Sequence, residues 1–155
     1  MKQKTAYTLM DELLASPTEP LPQAQCVEQL LKMHTALAAI ERAADATPED
    51  WRTCADAVNL LETLVTQGLM RDPEGLLLEA AREMAAAGER YRRGQPLRLS
   101  GLGIRAMRAV LTDYTDVLPQ LSARDVIRVH RATVKRIREI QSGKARSHDV
   151  VICSI

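Results

Sequence analysis

The chain has 155 residues, a length typical of one domain that buries enough surface to fold without a metal or disulfide staple. Apolar residues make up 46% and charged residues 26% of it, which excludes a disordered chain, and no stretch reaches the ~20 apolar residues of a membrane span. The net charge is +1, but the charges are unevenly distributed along the chain. Residues 1–81 contain six basic and thirteen acidic residues, whereas residues 82–155 contain fifteen basic and seven acidic residues. This asymmetry indicates an anionic partner or head-to-tail self-association.

Residues 1–22 are predicted to form an N-terminal arm with one short helix. Its apolar positions Tyr7, Met10, Leu13 and Leu14 have helical spacing. The three prolines between residues 16 and 22 end this helix and favour extended backbone. We expect the arm to be mobile or to dock on a neighbouring subunit.

Residues 23–143 are predicted to form a single all-α domain, a bundle of about five helices, because apolar positions recur at three- and four-residue steps. The first helix of this domain runs from Gln23 to about Asp45. Its apolar stripe comprises Cys26, Leu30, Met33, Leu37, Ile40 and Ala44, widened by Val27 and Leu31. The near-heptad spacing of this stripe fits a dimer seam as well as an intramolecular core.

Two further helices are predicted from start signals that contain a proline. Thr47-Pro48-Glu49-Asp50 supplies a cap, a first-turn proline and first-turn acids, and Asp72-Pro73-Glu74 repeats the pattern. The inner face of the first is expected to comprise Trp51, Cys54, Val58, Leu61 and Val65. That of the second is expected to comprise Leu76, Leu77, Ala80, Ala81, Met84 and Tyr91.

Serines are predicted to cap the last two helices. Ser100 precedes a helix that is broken at Pro119, and Ser122 precedes a helix that runs to Gly143. The expected inner faces comprise Ile104, Met107, Val110, Leu111 and Tyr114, then Val126, Val129, Thr133, Ile137 and Ile140. Residues 144–155 are expected to form a tail that is either a lone strand or disordered.

The helix after Ser122 carries a row of cations that we call the basic ridge: Arg124, Arg128, Arg131, Lys135 and Arg138. These residues recur at steps of four and three, so they lie on one helical face over roughly 20 Å. Only Asp125 and Glu139 are close enough in sequence to neutralise them. Such a ridge spans several phosphates of a nucleic-acid backbone, although any amphipathic helix also needs a solvated face.

A second basic group, Arg98, Arg105 and Arg108, surrounds the start of the preceding helix. The free amide groups there and the glycines at 101 and 103 favour an anion site, with an ordinary capped helix start as the alternative. Residues 121–137 also have some features of a helix-turn-helix. The helical pattern passes through His130 without a glycine turn, however, which favours one continuous helix.

The sequence contains no constellation of nucleophile, base and orienting acid. His34, His130 and His148 form no pair at metal-ligand spacing, and Cys26 and Cys54 lie on apolar helical faces, where we expect them buried. We therefore expect a non-enzymatic cytoplasmic protein without cofactor, metal or membrane association. The leading hypothesis is a regulatory or accessory protein that binds nucleic-acid backbone through the basic ridge. The alternative is a homodimeric adaptor or inhibitor that binds an acidic partner protein.

Overall fold

The computed structural model describes residues 7–42, 44, 46–72 and 74–144. The helices are α1 (Leu9–Leu14), α2 (Gln23–Arg42), α3 (Pro48–Thr66), α4 (Leu76–Arg92), α5 (Gly101–Val117) and α6 (Ala123–Gln141), with a 3-10 turn at Leu118–Gln120. This part of the chain contains no β-strand, which confirms the predicted all-α class. None of its helices is long and apolar enough to cross a membrane. The predicted tail lies outside the described residues apart from Lys144.

Side-chain caps fix where most of the helices begin. Thr8 and Thr47 each form a capping box with the aspartate three residues later, so α1 and α3 start at defined positions. The hydroxyls of Ser100 and Ser122 accept hydrogen bonds from amides of the first turns of α5 and α6. The caps predicted for α3, α5 and α6 are therefore confirmed.

Helix α4 begins at Leu76, after the position that Asp72-Pro73-Glu74 predicted. Gly75 precedes it with φ +67°, a left-handed backbone conformation that residues with a side chain rarely adopt. The Asp72 carboxylate still caps the helix, because it accepts a hydrogen bond from the Leu77 amide at 3.1 Å. The predicted start at Pro73 was wrong because the left-handed turn at Gly75 separates the capping acid from the helix.

Helix α3 occupies the centre of the bundle, in contact with α2, α4, α5 and α6. Trp51 is buried at its start, and the indole Nε1 donates to the carbonyl of Met84 at 2.9 Å. Gly88 of α4 lies against the same ring, since a Cβ there would come within 2.8 Å of Cζ2. The sequence identified one buried face of α3, but residues on its other sides, such as Asn59 and Thr63, are buried as well.

Most of the apolar stripe of α2 packs against α3 and α5 of the same chain. That packing uses the face proposed as a dimer seam. Val27 and Leu31, predicted to widen the stripe, are 54% and 64% exposed because they lie outside the buried face of the helix. Tyr91 of α4, also predicted to face inward, lies at the surface.

Helix α6 is attached to the bundle mainly through α3. The hydroxyls of Thr63 and Thr133 lie 2.7 Å apart in a buried contact. One turn further, Arg136 donates to the carboxylate of Glu62 at 3.2 Å. Because the apolar face of α6 packs against α3, the basic ridge on the opposite face points away from the bundle.

Candidate functional site

The N-terminal arm lies on α6 of its own chain. The amides of Ala123 and Arg124 donate to the carbonyls of Glu19 and Ser16, at 2.7 and 3.0 Å. Amides at the start of a helix have no acceptor within the helix, so the arm satisfies them. The arm was predicted to be mobile or to dock on a neighbouring subunit; in this structure residues 7–22 occupy a site on the same chain.

Arg124 of the basic ridge binds the C-terminal end of α1. Its guanidinium donates to the carbonyls of Leu13 and Ala15, both at 3.2 Å. The last carbonyls of a helix are unpaired and carry partial negative charge, which favours a cation at this position. This arginine is therefore engaged by the arm.

Two further members of the ridge bind one carboxylate of α1. Nε of Arg128 lies 3.6 Å from Oε1 of Glu12, and Arg131 donates a hydrogen bond to Oε2 of the same residue. The Glu12 side chain is only 16% exposed, whereas those of Arg128 and Arg131 are 48% and 32% exposed. The ridge thus recognises an acidic side chain on a short helix.

Apart from Glu12, the side chains of α1 bury little surface against the bundle. Its four large apolar side chains are exposed by 55% or more: Leu9, Met10, Leu13 and Leu14. No residue of α1 is buried. The docking of this helix on α6 therefore depends on polar contacts more than on apolar packing.

The remaining ridge cations, Lys135 and Arg138, are open to solvent. Lys135 is 78% exposed and lies 3.9 Å from Glu139, and Arg138 forms no ion pair with another described residue. The two acids close to the ridge in sequence do pair with it, Asp125 with Arg128 at 3.0 Å and Glu139 with Lys135, and Glu12 reaches it in addition from the arm. The ridge is thus compensated at its N-terminal end and open at its C-terminal end.

A groove of about 860 Å³ lies between α1 and the open part of α6. We call it the basic groove; its charged residues are Arg128, Arg131, Lys135, Arg138 and Lys144, with Glu12 and Glu139. Tyr7 and Leu9 form part of its wall on the arm side. Five cations against two carboxylates make this groove suited to a negatively charged ligand.

His130 lies beneath the start of the arm and contributes no charge to this site at neutral pH. The rings of His130 and Tyr7 pack edge to face with centroids 5.4 Å apart. Gln29 Nε2 donates to Tyr114 Oη at 2.7 Å and lies 3.3 Å from Nε2 of His130. Burial lowers the pKa of His130 to about 4, because the charged ring would lose its hydration.

The second basic group does not join the basic ridge. Arg108 binds the carboxylate of Glu41 through two hydrogen bonds of 2.7 and 2.9 Å and so links α5 to α2. This hydrogen bonding lowers the pKa of Glu41. Arg98 and Arg105 are exposed near the start of α5, which packs on α2, α3 and α4.

The proposed anion site at the start of α5 is occupied by a carboxylate of the same chain. Ser100 Oγ donates to Oε2 of Glu83 at 2.6 Å, and a Cβ at Gly103 would lie 2.9 Å from the same carboxylate oxygen. This acid of α4 supplies the negative charge that the helix start attracts. The helix-turn-helix alternative was also wrong, since α6 continues without a break from Ala123 to Gln141.

A second groove, which the sequence analysis did not identify, carries the opposite charge. It has a volume of about 710 Å³ and lies between the end of α3, the start of α4 and α5. We call it the acidic groove; its charged residues are Asp72, Glu74, Asp113 and Asp116, with Arg71. Asp113 and Asp116 lie three residues apart on the polar face of α5, a spacing that sequence inspection could have noted.

The described residues contain no group of three or more His, Cys, Asp or Glu side chains that could hold a metal ion. The chain matches no protein-family model, no curated protein and no solved structure.

The pairing of Glu12 with the ridge predicts that Glu12→Gln loosens the arm. Both arginines are partly exposed, so solvent screening limits the loss in local stability of α1 to about 1 kcal/mol. This loss raises the equilibrium constant for opening of α1 by about fivefold. Amide hydrogen exchange of α1 measures this, and Met10→Gln, a change at an exposed position of the same helix, serves as the control. Unchanged protection of α1 in Glu12→Gln would contradict the pairing.

The half-buried, neutral His130 predicts that acid destabilises the fold. The unfolded chain binds a proton near pH 6.5 and the folded chain only near pH 4, so the unfolded state binds more protons between these values. The free energy of unfolding is then highest above pH 6.5 and falls by about 3 kcal/mol as the pH drops to 4. Urea titrations at several pH values should show that His130→Gln removes this component and that His34→Gln, at an exposed position, retains it. An identical pH dependence in wild type and His130→Gln would show that His130 is not the source.

Proposed function

We propose that this chain is a non-enzymatic cytoplasmic binding protein whose basic groove holds an acidic segment of a partner protein. The observation that carries the proposal is the docking of α1, in which Arg128 and Arg131 hold Glu12. Because α1 is a short acidic helix, we infer that the partner segment is also short and acidic. The open cations Lys135 and Arg138 extend the same chemistry beyond the arm.

The state of the two described thiols supports a role without catalysis. Cys26 and Cys54 are free and buried. Burial raises the pKa of both thiols, that of Cys54 to about 12, whereas a nucleophilic cysteine needs a lowered pKa. Unpaired cysteines also accord with a reducing compartment.

Binding of nucleic-acid backbone is the second candidate, favoured by the exposed cations Lys135, Arg138 and Lys144. An acidic protein segment is favoured because the ridge already holds one: Arg128 and Arg131 pair with the carboxylate of Glu12, and Arg124 binds the last carbonyls of α1. A nucleic-acid backbone that follows the whole ridge would have to displace α1 from these three arginines.

The proposal predicts that Lys135→Gln, Arg138→Gln and Lys144→Gln together weaken binding of poly-L-glutamate by about tenfold or more. Fluorescence anisotropy with labelled poly-L-glutamate, random-sequence duplex DNA and single-stranded RNA, each at about 0.05 and 0.15 M salt, makes the measurement. The matched control, Lys32→Gln, Arg98→Gln and Arg105→Gln, removes the same charge at exposed positions outside the basic groove. We expect this control to bind like the wild type.

Three outcomes of this titration decide between the candidates. Loss of poly-L-glutamate binding in the groove variant alone supports the acidic-protein function. Tight binding of nucleic acid at about 0.15 M salt, with weak binding of poly-L-glutamate, replaces it with the nucleic-acid function. Absence of binding to all three probes at low salt contradicts both, because electrostatic attraction is strongest there.

A further inference from the structure

The acidic groove and the basic groove carry matched opposite charges on one chain. The acidic groove has four carboxylates against the guanidinium of Arg71, and the basic groove has five cations against two carboxylates. The excess is three charges in each case, and no residue lines both grooves. Each copy of the chain therefore presents two separate surfaces of opposite charge.

The two grooves are also alike in size and in apolar content. Their volumes are about 710 and 860 Å³. Leu69, Leu76 and Val117 line the acidic groove beside its carboxylates, and Leu9 and Val134 line the basic groove beside its cations. An interface between these surfaces would combine apolar contact with charge pairing, as protein interfaces do.

The carboxylates of the acidic groove are not neutralised by close ion pairs within the described part of the chain. None of the four forms an ion pair with another described residue. Burial, together with repulsion from Asp116, Asp72 and Glu74, raises the pKa of Asp113. Glu12 in the basic groove is the opposite case, because two arginines already hold it.

We propose that the acidic partner of the basic groove is the acidic groove of a second copy of this chain. The inference rests on the proposed function and names its partner. Because each copy carries one groove of each charge, contact of unlike grooves joins different surfaces and leaves one of each open. Copies of the chain then assemble head to tail into an open chain or a closed ring. Because the contact is electrostatic, salt weakens this assembly.

Complementation between two neutralised variants of the full chain tests the pairing. Asp113→Asn with Asp116→Asn weakens the acidic groove, and Lys135→Gln with Arg138→Gln weakens the basic groove. Sedimentation velocity at about 0.05 M salt should show that the wild type self-associates and that each variant does so about tenfold or more weakly. An equimolar mixture of the variants should form a one-to-one complex, because each supplies the groove that the other lacks.

A control and three contrary outcomes make the test decisive. Glu19→Gln with Glu28→Gln removes two exposed carboxylates outside the acidic groove and should leave self-association unchanged. A wild type that stays monomeric at low salt, a mixture that forms no complex, or a control that weakens assembly equally would overturn the inference. Where assembly fails, poly-L-glutamate binding by Asp113→Asn/Asp116→Asn, whose basic groove is intact, separates the two proposals. If this variant binds the probe, only the inference about the partner fails; if it does not bind, the proposed function fails as well.

Discussion

Enclosure of α3 by four neighbouring helices fixes the rest of the architecture. Trp51 anchors α4 through its hydrogen bond to Met84, and the close approach of Gly88 allows the two helices to pack on the indole. Further along α3, Thr63 meets Thr133 and so sets the rotation of α6 about its own axis. With its apolar face placed on α3, α6 must present its arginines on the outer side. The position of the basic ridge is thus a consequence of core packing.

The cations of the basic ridge repel one another, and the arm neutralises part of this charge. A row of cations on one helical face repels itself, and a nearby carboxylate relieves that repulsion. Glu12 does so for Arg128 and Arg131, while the carbonyls at the end of α1 engage Arg124. Among the described residues, the arm forms no ion pair with Lys135 or Arg138 in the C-terminal part of the ridge. The same contacts that hold the arm therefore define what the open part of the groove is suited to bind.

Local chemistry could be predicted from the sequence, and long-range pairing could not. The caps of α3, α5 and α6 and the single face of the ridge follow from residues within one or two turns of each other. The late start of α4 was missed because it depends on the backbone conformation of Gly75. Periodicity gave the stripe of α2 but not its edges, so Val27 and Leu31 were assigned to the wrong side. Glu12 and Arg131 are 119 residues apart, and no pattern in one sequence identifies such a pair.

The arm and the proposed acidic partner bind overlapping parts of the basic ridge, so the two must compete. Affinity of poly-L-glutamate for Glu12→Gln, measured at about 0.15 M salt, tests this most directly. Release of Arg131, and loss of the longer of the two ion pairs of Arg128, should tighten binding by about fivefold. Glu28→Gln, which changes the net charge equally at an exposed position of α2, should have little effect. Equal affinities for Glu12→Gln and wild type, or the same gain in both variants, would show that the arm and the acidic ligand do not compete.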